Sequence, residues 1–147
     1  MTKNVAQTKK LAAEITKDLL ADKIANRAKI MALTGELGSG KTTFIQGMAK
    51  GLGIKDRITS PTFVIMKRLQ ITKRKSPVSN FYHIDCYRIE NIKELSVFNF
   101  QDIIGSPKNL VVIEWAEKIK ALLPQNVVWL KFEWVGEKKR RIIIQKL

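Results

Sequence analysis

The sequence predicts an α/β fold, a sandwich in which helices flank a mixed central β-sheet. Three observations lead to this prediction. An apolar strand at residues 29–34 runs through a glycine-rich segment into a helix, helical and strand patterns alternate along the chain, and the uninterrupted Leu-Val-Val-Ile run at 110–113 is typical of a strand buried on both faces. With 147 residues the chain is long enough for one core, so we expect a single domain over residues 1–147.

The spacing of apolar residues predicts the elements of the first half. Apolar side chains recur at helical spacing over residues 5–21, with lysines on the opposite side, which predicts an amphipathic helix. After the strand at 29–34, a second helix is expected over 42–50, ending near two glycines. Residues 62–71 and 78–85 are predicted as two strands of a hairpin, joined by a basic, proline-containing connection.

In the second half, residues 90–104 have a mixed helical pattern that ends at Gly105-Ser106-Pro107. The strand at 110–113 follows and leads directly into Glu114. A short helix is expected over 116–123, before Pro124. Residues 127–134 and 141–147 are then predicted as a closing hairpin.

The chain is strongly basic, with 27 lysines and arginines against 13 acidic residues and a net charge of +14. The basic residues cluster at 67–68, 73–75 and 138–141. Such clusters can neutralise the phosphates of a nucleic acid, or they can simply be solvated surface, and the sequence leaves both interpretations open. The apolar runs are too short to span a membrane, no secretory signal is visible, and Cys86 is the single cysteine, so we expect a cytoplasmic protein.

The most informative segment is Gly-Glu-Leu-Gly-Ser-Gly-Lys-Thr at residues 35–42, which fits the P-loop pattern G-x-x-x-x-G-K-[ST]. In such a loop the glycines let backbone N–H groups surround a phosphate chain. Lys41 can then reach the β and γ phosphates, and the hydroxyl of Thr42 can bind Mg²⁺. The positive N-terminal end of the following helix adds to the attraction for an anion.

Two acidic residues stand where predicted strands end, Asp85 after Phe-Tyr-His-Ile and Glu114 after Leu-Val-Val-Ile. In open α/β sheets ligands collect at the carboxyl ends of the strands, so both carboxylates are expected near the loop. Either could be the acid on the metal side, and the other would then orient water. The alternative for each is a structural carboxylate that caps a helix or pairs with a neighbour such as Arg88.

Several other residues are candidates for the same site. Trp115 could pack on a nucleotide or a partner, or belong to the core, and His83 fits an orienting or core role better than a metal site. Cys86 is interpreted as packing. The hydroxyl-rich segment 59–62 lies where many nucleotide switches sense a γ phosphate.

Four motifs in order resemble the TsaE (YjeE) family of small bacterial P-loop ATPases. They are Gly-Glu-Leu-Gly-Ser-Gly-Lys-Thr-Thr-Phe at 35–44, Ser-Pro-Thr-Phe at 60–63, His-Ile-Asp-Cys-Tyr-Arg at 83–88 and Val-Ile-Glu-Trp at 112–115. The resemblance extends to about Pro124. Ala116 departs from it, since the family usually has proline there, and the stretch 68–79 is longer and more basic than the resemblance leads us to expect.

The resemblance implies a P-loop NTPase-like fold and a Mg²⁺-dependent ATPase that acts in the threonylcarbamoyladenosine modification of tRNA, with TsaB and TsaD as partners. It implies catalytic roles for Lys41, Asp85 and Glu114, metal binding by Thr42 and Glu114, and a switch role for Thr62. A C-terminal arginine is expected at the nucleotide, and Arg140 and Arg141 are the two candidates for it. The residues expected to contact the nucleotide are Thr8, Leu37, Gly38, Ser39, Gly40, Lys41, Thr42, Thr43 and Trp115.

Two other functions remain open from the residues alone. A small-molecule kinase would use the same loop, but it needs an acceptor pocket and usually an arginine-bearing lid, and no lid-like segment is visible. A nucleotide-gated RNA-binding module would bind tRNA tightly by itself and lose that binding steeply with salt.

Overall fold

The computed structural model describes residues 1–21, 26–56, 58 and 66–146. The first half of this part contains one strand between two long helices, followed by an antiparallel hairpin. The second half contains three strands and shorter helices. In chain order the elements are α1 (Val5–Ala21), β1 (Lys29–Thr34), α2 (Lys41–Gly51), β2 (Met66–Gln70), β3 (Asn80–Asp85), a 3₁₀ helix (Ile92–Phe98), α3 (Phe100–Gly105), β4 (Asn109–Glu114), a second 3₁₀ helix (Ala116–Leu122), β5 (Val128–Trp134) and β6 (Arg140–Lys146).

The strands form one mixed sheet in the order β2-β3-β4-β1-β5-β6. Strands β3, β4, β1 and β5 are parallel neighbours, whereas β2 and β6 pair antiparallel at the two edges. The mixed sheet flanked by helices confirms the fold class predicted from the sequence. Because the central strands run in the same direction, their carboxyl ends lie at one edge of the sheet, which we call the loop edge.

The core has one layer on each face of the sheet, as alternation along β1 requires. Met31 and Leu33 pack toward α1 and α2, while Ile30 and Ala32 pack toward the shorter helices. All four side chains are at most 2% exposed. Burying a side chain of the size of Leu33 stabilises the fold by roughly 1.5–3 kcal/mol, so β1 holds the loop that follows it in a firmly packed position.

Helix α2 is held against α1 at very short range. A Cβ atom placed on Gly47 would lie 2.5 Å from Cα of Lys9, a distance that no side chain can tolerate. The absence of a side chain at Gly47 therefore lets the two backbones approach. Since α2 begins at Lys41, this packing also orients the N-terminal end of α2.

The element boundaries differ from the predictions in a few places. The mixed pattern at 90–104 resolves into a 3₁₀ helix and the short helix α3, because Asn99 between them adopts a left-handed conformation with φ 54°. The predicted helix at 116–123 is a 3₁₀ helix. Of the first hairpin strand, residues 62–65 lie outside the described residues, and the last strand begins at Arg140.

None of the helices in the described part of the chain combines the length and the apolar character that crossing a bilayer requires.

Candidate active site

The glycine-rich loop connects β1 to α2 at the loop edge of the sheet. Gly35, Gly38 and Gly40 have φ angles of 134°, 77° and 101°, which side-chain-bearing residues rarely adopt. At Gly35 a Cβ atom would also lie 2.5 Å from the carbonyl oxygen of Phe132 on β5. The loop conformation thus depends on glycine, as expected for a segment whose backbone N–H groups surround an anion.

Lys41 is folded inward, with only 5% of its surface exposed. Its Nζ donates a hydrogen bond to the carbonyl oxygen of Gly35 and lies 3.9 Å from the ring centroid of Trp115, a cation–π contact. Burial lowers the pKa of Lys41, although the carboxylates of Glu114, Glu117 and Asp85 act in the opposite direction. The ammonium group is therefore partly desolvated and would gain from an anionic ligand.

Glu114 ends β4 and connects the loop to the sheet. Its carboxylate is buried, with 3% of the residue exposed. Oε1 lies 3.5 Å from the hydroxyl of Thr42, and Oε2 lies 2.7 Å from Nε2 of His83. One carboxylate thus faces both the first turn of α2 and the imidazole of the neighbouring strand.

Asp85 occupies the equivalent position on the adjacent strand. It is the register partner of Glu114 in the parallel pair of β3 and β4, and it is half-buried. Its Oδ1 accepts a hydrogen bond from the backbone N–H of Tyr87 at 3.0 Å. The structure therefore brings both sequence-predicted acids to the loop edge in different settings. The carboxylate of Glu114 is buried between Thr42 and His83, whereas that of Asp85 is half-buried and accepts from the backbone of Tyr87.

Trp115 forms the rim next to these acids. It has φ 56°, a left-handed conformation, and its ring packs on that of Tyr87 with centroids 5.1 Å apart. The Nζ of Lys118 donates a hydrogen bond to the carbonyl oxygen of Tyr87. Trp115 thus contacts Lys41 and Tyr87. A contact between Trp115 and a nucleotide remains a prediction.

Ser39 stands out among the loop residues. Its Oγ is buried, and it forms no hydrogen bond with any group in the described ranges. A buried hydroxyl without a partner is costly, by about 1–3 kcal/mol. A bound anion is one partner that would satisfy it.

An arginine from the closing hairpin reaches the loop. The side chain of Arg140 lies against Gly40, where a Cβ atom would be 3.4 Å from its Cγ and Nε atoms. Arg141 points elsewhere and pairs with Glu133 at 3.4 Å. The sequence left these two arginines as equal candidates, and the pairing of β6 with β5 places Arg140 at the loop.

The remaining predicted nucleotide contacts lie in varied surroundings. Leu37, at the loop tip, is 71% exposed, and Thr43 is half-buried in the first turn of α2. Thr8 is buried, and its hydroxyl lies 2.7 Å from that of Thr2 in a hydrogen bond. Thr62, with the rest of segment 59–62, lies outside the described residues.

Comparison with known proteins identifies the family of this chain. The sequence model of the family described as "Threonylcarbamoyl adenosine biosynthesis protein TsaE" matches residues 2–142. The chain belongs to the TsaE family. That match spans the loop, both acids and Arg140, and it confirms the resemblance derived from the four motifs.

Individual members of the TsaE family are similar over most of their length. The chain is 34% identical over 142 residues to a tRNA threonylcarbamoyladenosine biosynthesis protein TsaE of Bacillus subtilis, covering 96% of this chain and 80% of that protein. With the protein of the same name from Rickettsia typhi it is 37% identical over 118 residues, covering 80% and 77% of the two chains. The crystal structure of Bacillus subtilis YdiB superposes with a TM-score of 0.66 at 29% identity, covering 96% of this chain and 79% of that one.

Proposed function

We propose that this protein is a Mg²⁺-dependent ATPase that acts as an accessory factor in the threonylcarbamoyladenosine modification of tRNA. The observation that carries the proposal is the meeting of Thr42, at the start of α2, with the buried carboxylate of Glu114 beside the glycine-rich loop. A loop that binds phosphates and an acid that can hold a cation are the two components that phosphoryl chemistry requires of a protein.

The residues of the loop fit a polyphosphate. Gly38 and Gly40 provide the positive φ angles with which backbone N–H groups turn toward an anion. The buried hydroxyl of Ser39 and the partly desolvated ammonium of Lys41 are both groups that gain by contact with phosphate oxygens. Arg140 supplies a further positive charge next to Gly40.

The residues also fit Mg²⁺ bound together with a nucleotide. Within residues 1–21, 26–56, 58 and 66–146, no group of three or more His, Cys, Asp or Glu side chains could hold a metal by itself. Mg²⁺ is commonly bound through one or two carboxylates together with substrate phosphates, and such a site needs no closed protein cage. Thr42 and Glu114 would hold the ion, which would neutralise part of the negative charge on the phosphate oxygens.

The protein groups then divide the remaining tasks. Lys41 leaves the carbonyl oxygen of Gly35 to bind phosphate oxygens, and His83 holds the carboxylate of Glu114 in one orientation. Asp85, one strand away, is assigned the role of orienting the attacking water, because it ends the neighbouring strand at the same edge of the sheet, beside Glu114. Trp115 covers Lys41 and restricts the access of water to it.

The place of this ATPase in tRNA modification rests on membership of the TsaE family. Its relatives in Bacillus subtilis and Rickettsia typhi are named as tRNA threonylcarbamoyladenosine biosynthesis proteins. We propose that ATP hydrolysis by this chain resets a complex of TsaB and TsaD between rounds of modification. The transfer of the threonylcarbamoyl group to tRNA adenosine 37 would then be carried out by those partners.

Steady-state ATP hydrolysis with and without Mg²⁺ tests the proposed chemistry. Glu114→Gln should reduce kcat at least about 100-fold with little change in fold stability, and Lys41→Ala should weaken nucleotide binding. Glu94→Gln, which removes an exposed carboxylate on the first 3₁₀ helix, is the matched control and should hydrolyse ATP normally. Equal rates for wild type and Glu114→Gln would refute the assignment of Glu114.

A further inference from the structure

A groove of about 550 Å³ lies at the edge of the sheet opposite the loop edge. One wall is the second half of α1, and the other is the connection between β2 and β3, with the end of α2 at the base. Helix α2 starts at the loop edge and ends at Gly51, and β3 starts at Asn80 and ends beside Glu114. The groove is therefore separated from the candidate active site by the length of both elements, roughly 16 Å at 1.5 Å per helical residue.

The groove is lined by apolar side chains from both helices and the connection, and by five basic side chains. Lys10 and Lys17 project from α1, and the opposite wall carries residues 73–75, Lys-Arg-Lys. All five basic side chains are exposed, and Glu14 is the acidic residue that the lining contains. Because lysines and an arginine from two separate elements face one space, a polyanion in the groove would meet positive charge on both sides.

The connection that forms the second wall is held in place by hydrogen bonds. Lys73 Nζ lies 3.4 Å from the carbonyl oxygen of Gly51 at the end of α2, and the hydroxyl of Ser76 donates to the carbonyl oxygen of Val78 at 2.7 Å. Lys75 has φ 66°, a strained conformation for a lysine. The contact of Lys73 with Gly51 places the connection against the end of α2.

We propose that this groove binds the phosphate backbone of an RNA. Its five basic side chains come from two facing elements, and lysine and arginine are the side chains with which proteins neutralise the phosphates of a nucleic acid. The net charge of +14 attracts the same class of ligand at long range. The inference does not depend on nucleotide hydrolysis, because the groove shares no residue with the candidate active site.

Binding of fluorescently labelled bulk tRNA, without nucleotide, tests this surface by anisotropy at several salt concentrations. Lys10→Gln/Lys17→Gln should weaken binding about tenfold in 0.1 M salt and make the slope of log K against log salt shallower by about 1.5. A triple exchange to glutamine at 73–75 should weaken it at least as much.

The matched control is Lys93→Gln/Lys120→Gln, which removes two exposed charges outside the groove and outside the basic clusters of the sequence. It should bind tRNA within about twofold of wild type. An equal loss in this variant would overturn the proposal in favour of a generally basic surface, and equal binding of poly-L-glutamate would overturn it in favour of an acidic protein ligand. Circular dichroism melting confirms that each variant is folded.

ATP hydrolysis in the same variants separates this proposal from the proposed function. The groove variants should hydrolyse ATP at the wild-type rate while they lose tRNA. If instead tRNA binding is unchanged and hydrolysis falls, the groove proposal is wrong and the basic connection belongs to the nucleotide site.

Discussion

Nε2 of His83 lies 2.7 Å from Oε2 of Glu114, and both residues are almost fully buried, at 1% and 3% exposure. The two sit on neighbouring parallel strands, where Val112 is the register partner of His83 and Glu114 follows two residues later on the same face. One oxygen of the Glu114 carboxylate, Oε2, is therefore hydrogen-bonded to the neighbouring strand, while the other, Oε1, faces Thr42. Partners of this kind orient metal-binding groups in many proteins.

Replacing His83 should therefore change the Mg²⁺ dependence of ATP hydrolysis more than it changes nucleotide affinity. We expect His83→Ala to raise the Mg²⁺ concentration for half-maximal ATP hydrolysis about tenfold, because Glu114 loses the group that orients it. His83→Gln, which can still donate a hydrogen bond, should recover part of the loss. A Mg²⁺ titration of hydrolysis rates measures both, and an unchanged midpoint in His83→Ala would argue against an orienting role.

The loop glycines should differ in their sensitivity to alanine. Gly35→Ala places a Cβ atom 2.5 Å from the carbonyl oxygen of Phe132 and should lower the free energy of unfolding by about 3 kcal/mol. Gly38→Ala meets nothing within 4 Å, so its cost is the strain of φ 77°, about 1–2 kcal/mol. Urea denaturation measures the difference.

Gly105→Ala is the control for those two substitutions. A Cβ atom at Gly105 also meets nothing within 4 Å, and this residue has no positive φ, so its stability should stay within about 1 kcal/mol of wild type. Equal destabilisation by all three exchanges would show that the close approach of Gly35 to Phe132 leaves room for a side chain.

Substitutions of Arg140 and Arg141 should have different effects on ATP affinity. Because Arg140 lies against Gly40, Arg140→Gln should weaken ATP affinity about tenfold, the value of one charge-assisted contact. Arg141→Gln breaks an exposed pair with Glu133 and should leave the affinity unchanged. Isothermal titration calorimetry distinguishes them, and the reverse order would show that the hairpin presents Arg141 to the nucleotide.

Cys86 should be unreactive while the protein is folded. Burial, followed by the charge of Asp85, raises its pKa to about 12 from the usual 9.0, and the residue is 0% exposed. At pH 8 the thiolate fraction is then roughly 1,000-fold lower than in the unfolded chain. Reaction with a thiol reagent should be slow in buffer and fast in denaturant, and similar rates would mean that the segment after β3 opens readily.

The sign of the stability effect follows from the same shift. Since the folded-state pKa of Cys86 lies above its unfolded value, its contribution to stability is fully present below about pH 9 and is lost as the pH rises toward 12. The effect of Lys41 on stability has the opposite sign. Burial lowers its pKa below the usual 10.5, so the folded protein gains stability relative to the unfolded chain as the pH rises and this proton is released.

The sequence identified those parts of the site that are local. The loop pattern at 35–42 and the two acids at strand ends could be found because each depends on a short segment and on the rule that parallel strands end at one edge. The run at 110–113 predicted a strand buried on both faces, and all six residues of β4 are buried.

What the sequence could not provide depends on contacts between distant segments. Arg140 reaches Gly40 only because β6 pairs with β5 and its backbone pairs with Thr2, with N···O distances of 2.8 Å in both directions. Thr8 faces Thr2 for the same reason. The contact of Lys41 with Trp115 requires φ 56° at the tryptophan, which no spacing of residues indicates.

The most direct test of the central claim is threonylcarbamoyladenosine formation on tRNA over several turnovers. The reaction contains TsaB, TsaD and the enzyme that forms the threonylcarbamoyl adenylate, with this protein, without it, or with its Lys41→Ala variant. We predict that product beyond one turnover requires the wild-type chain and fails with the variant. Equal product in all three reactions would contradict the account.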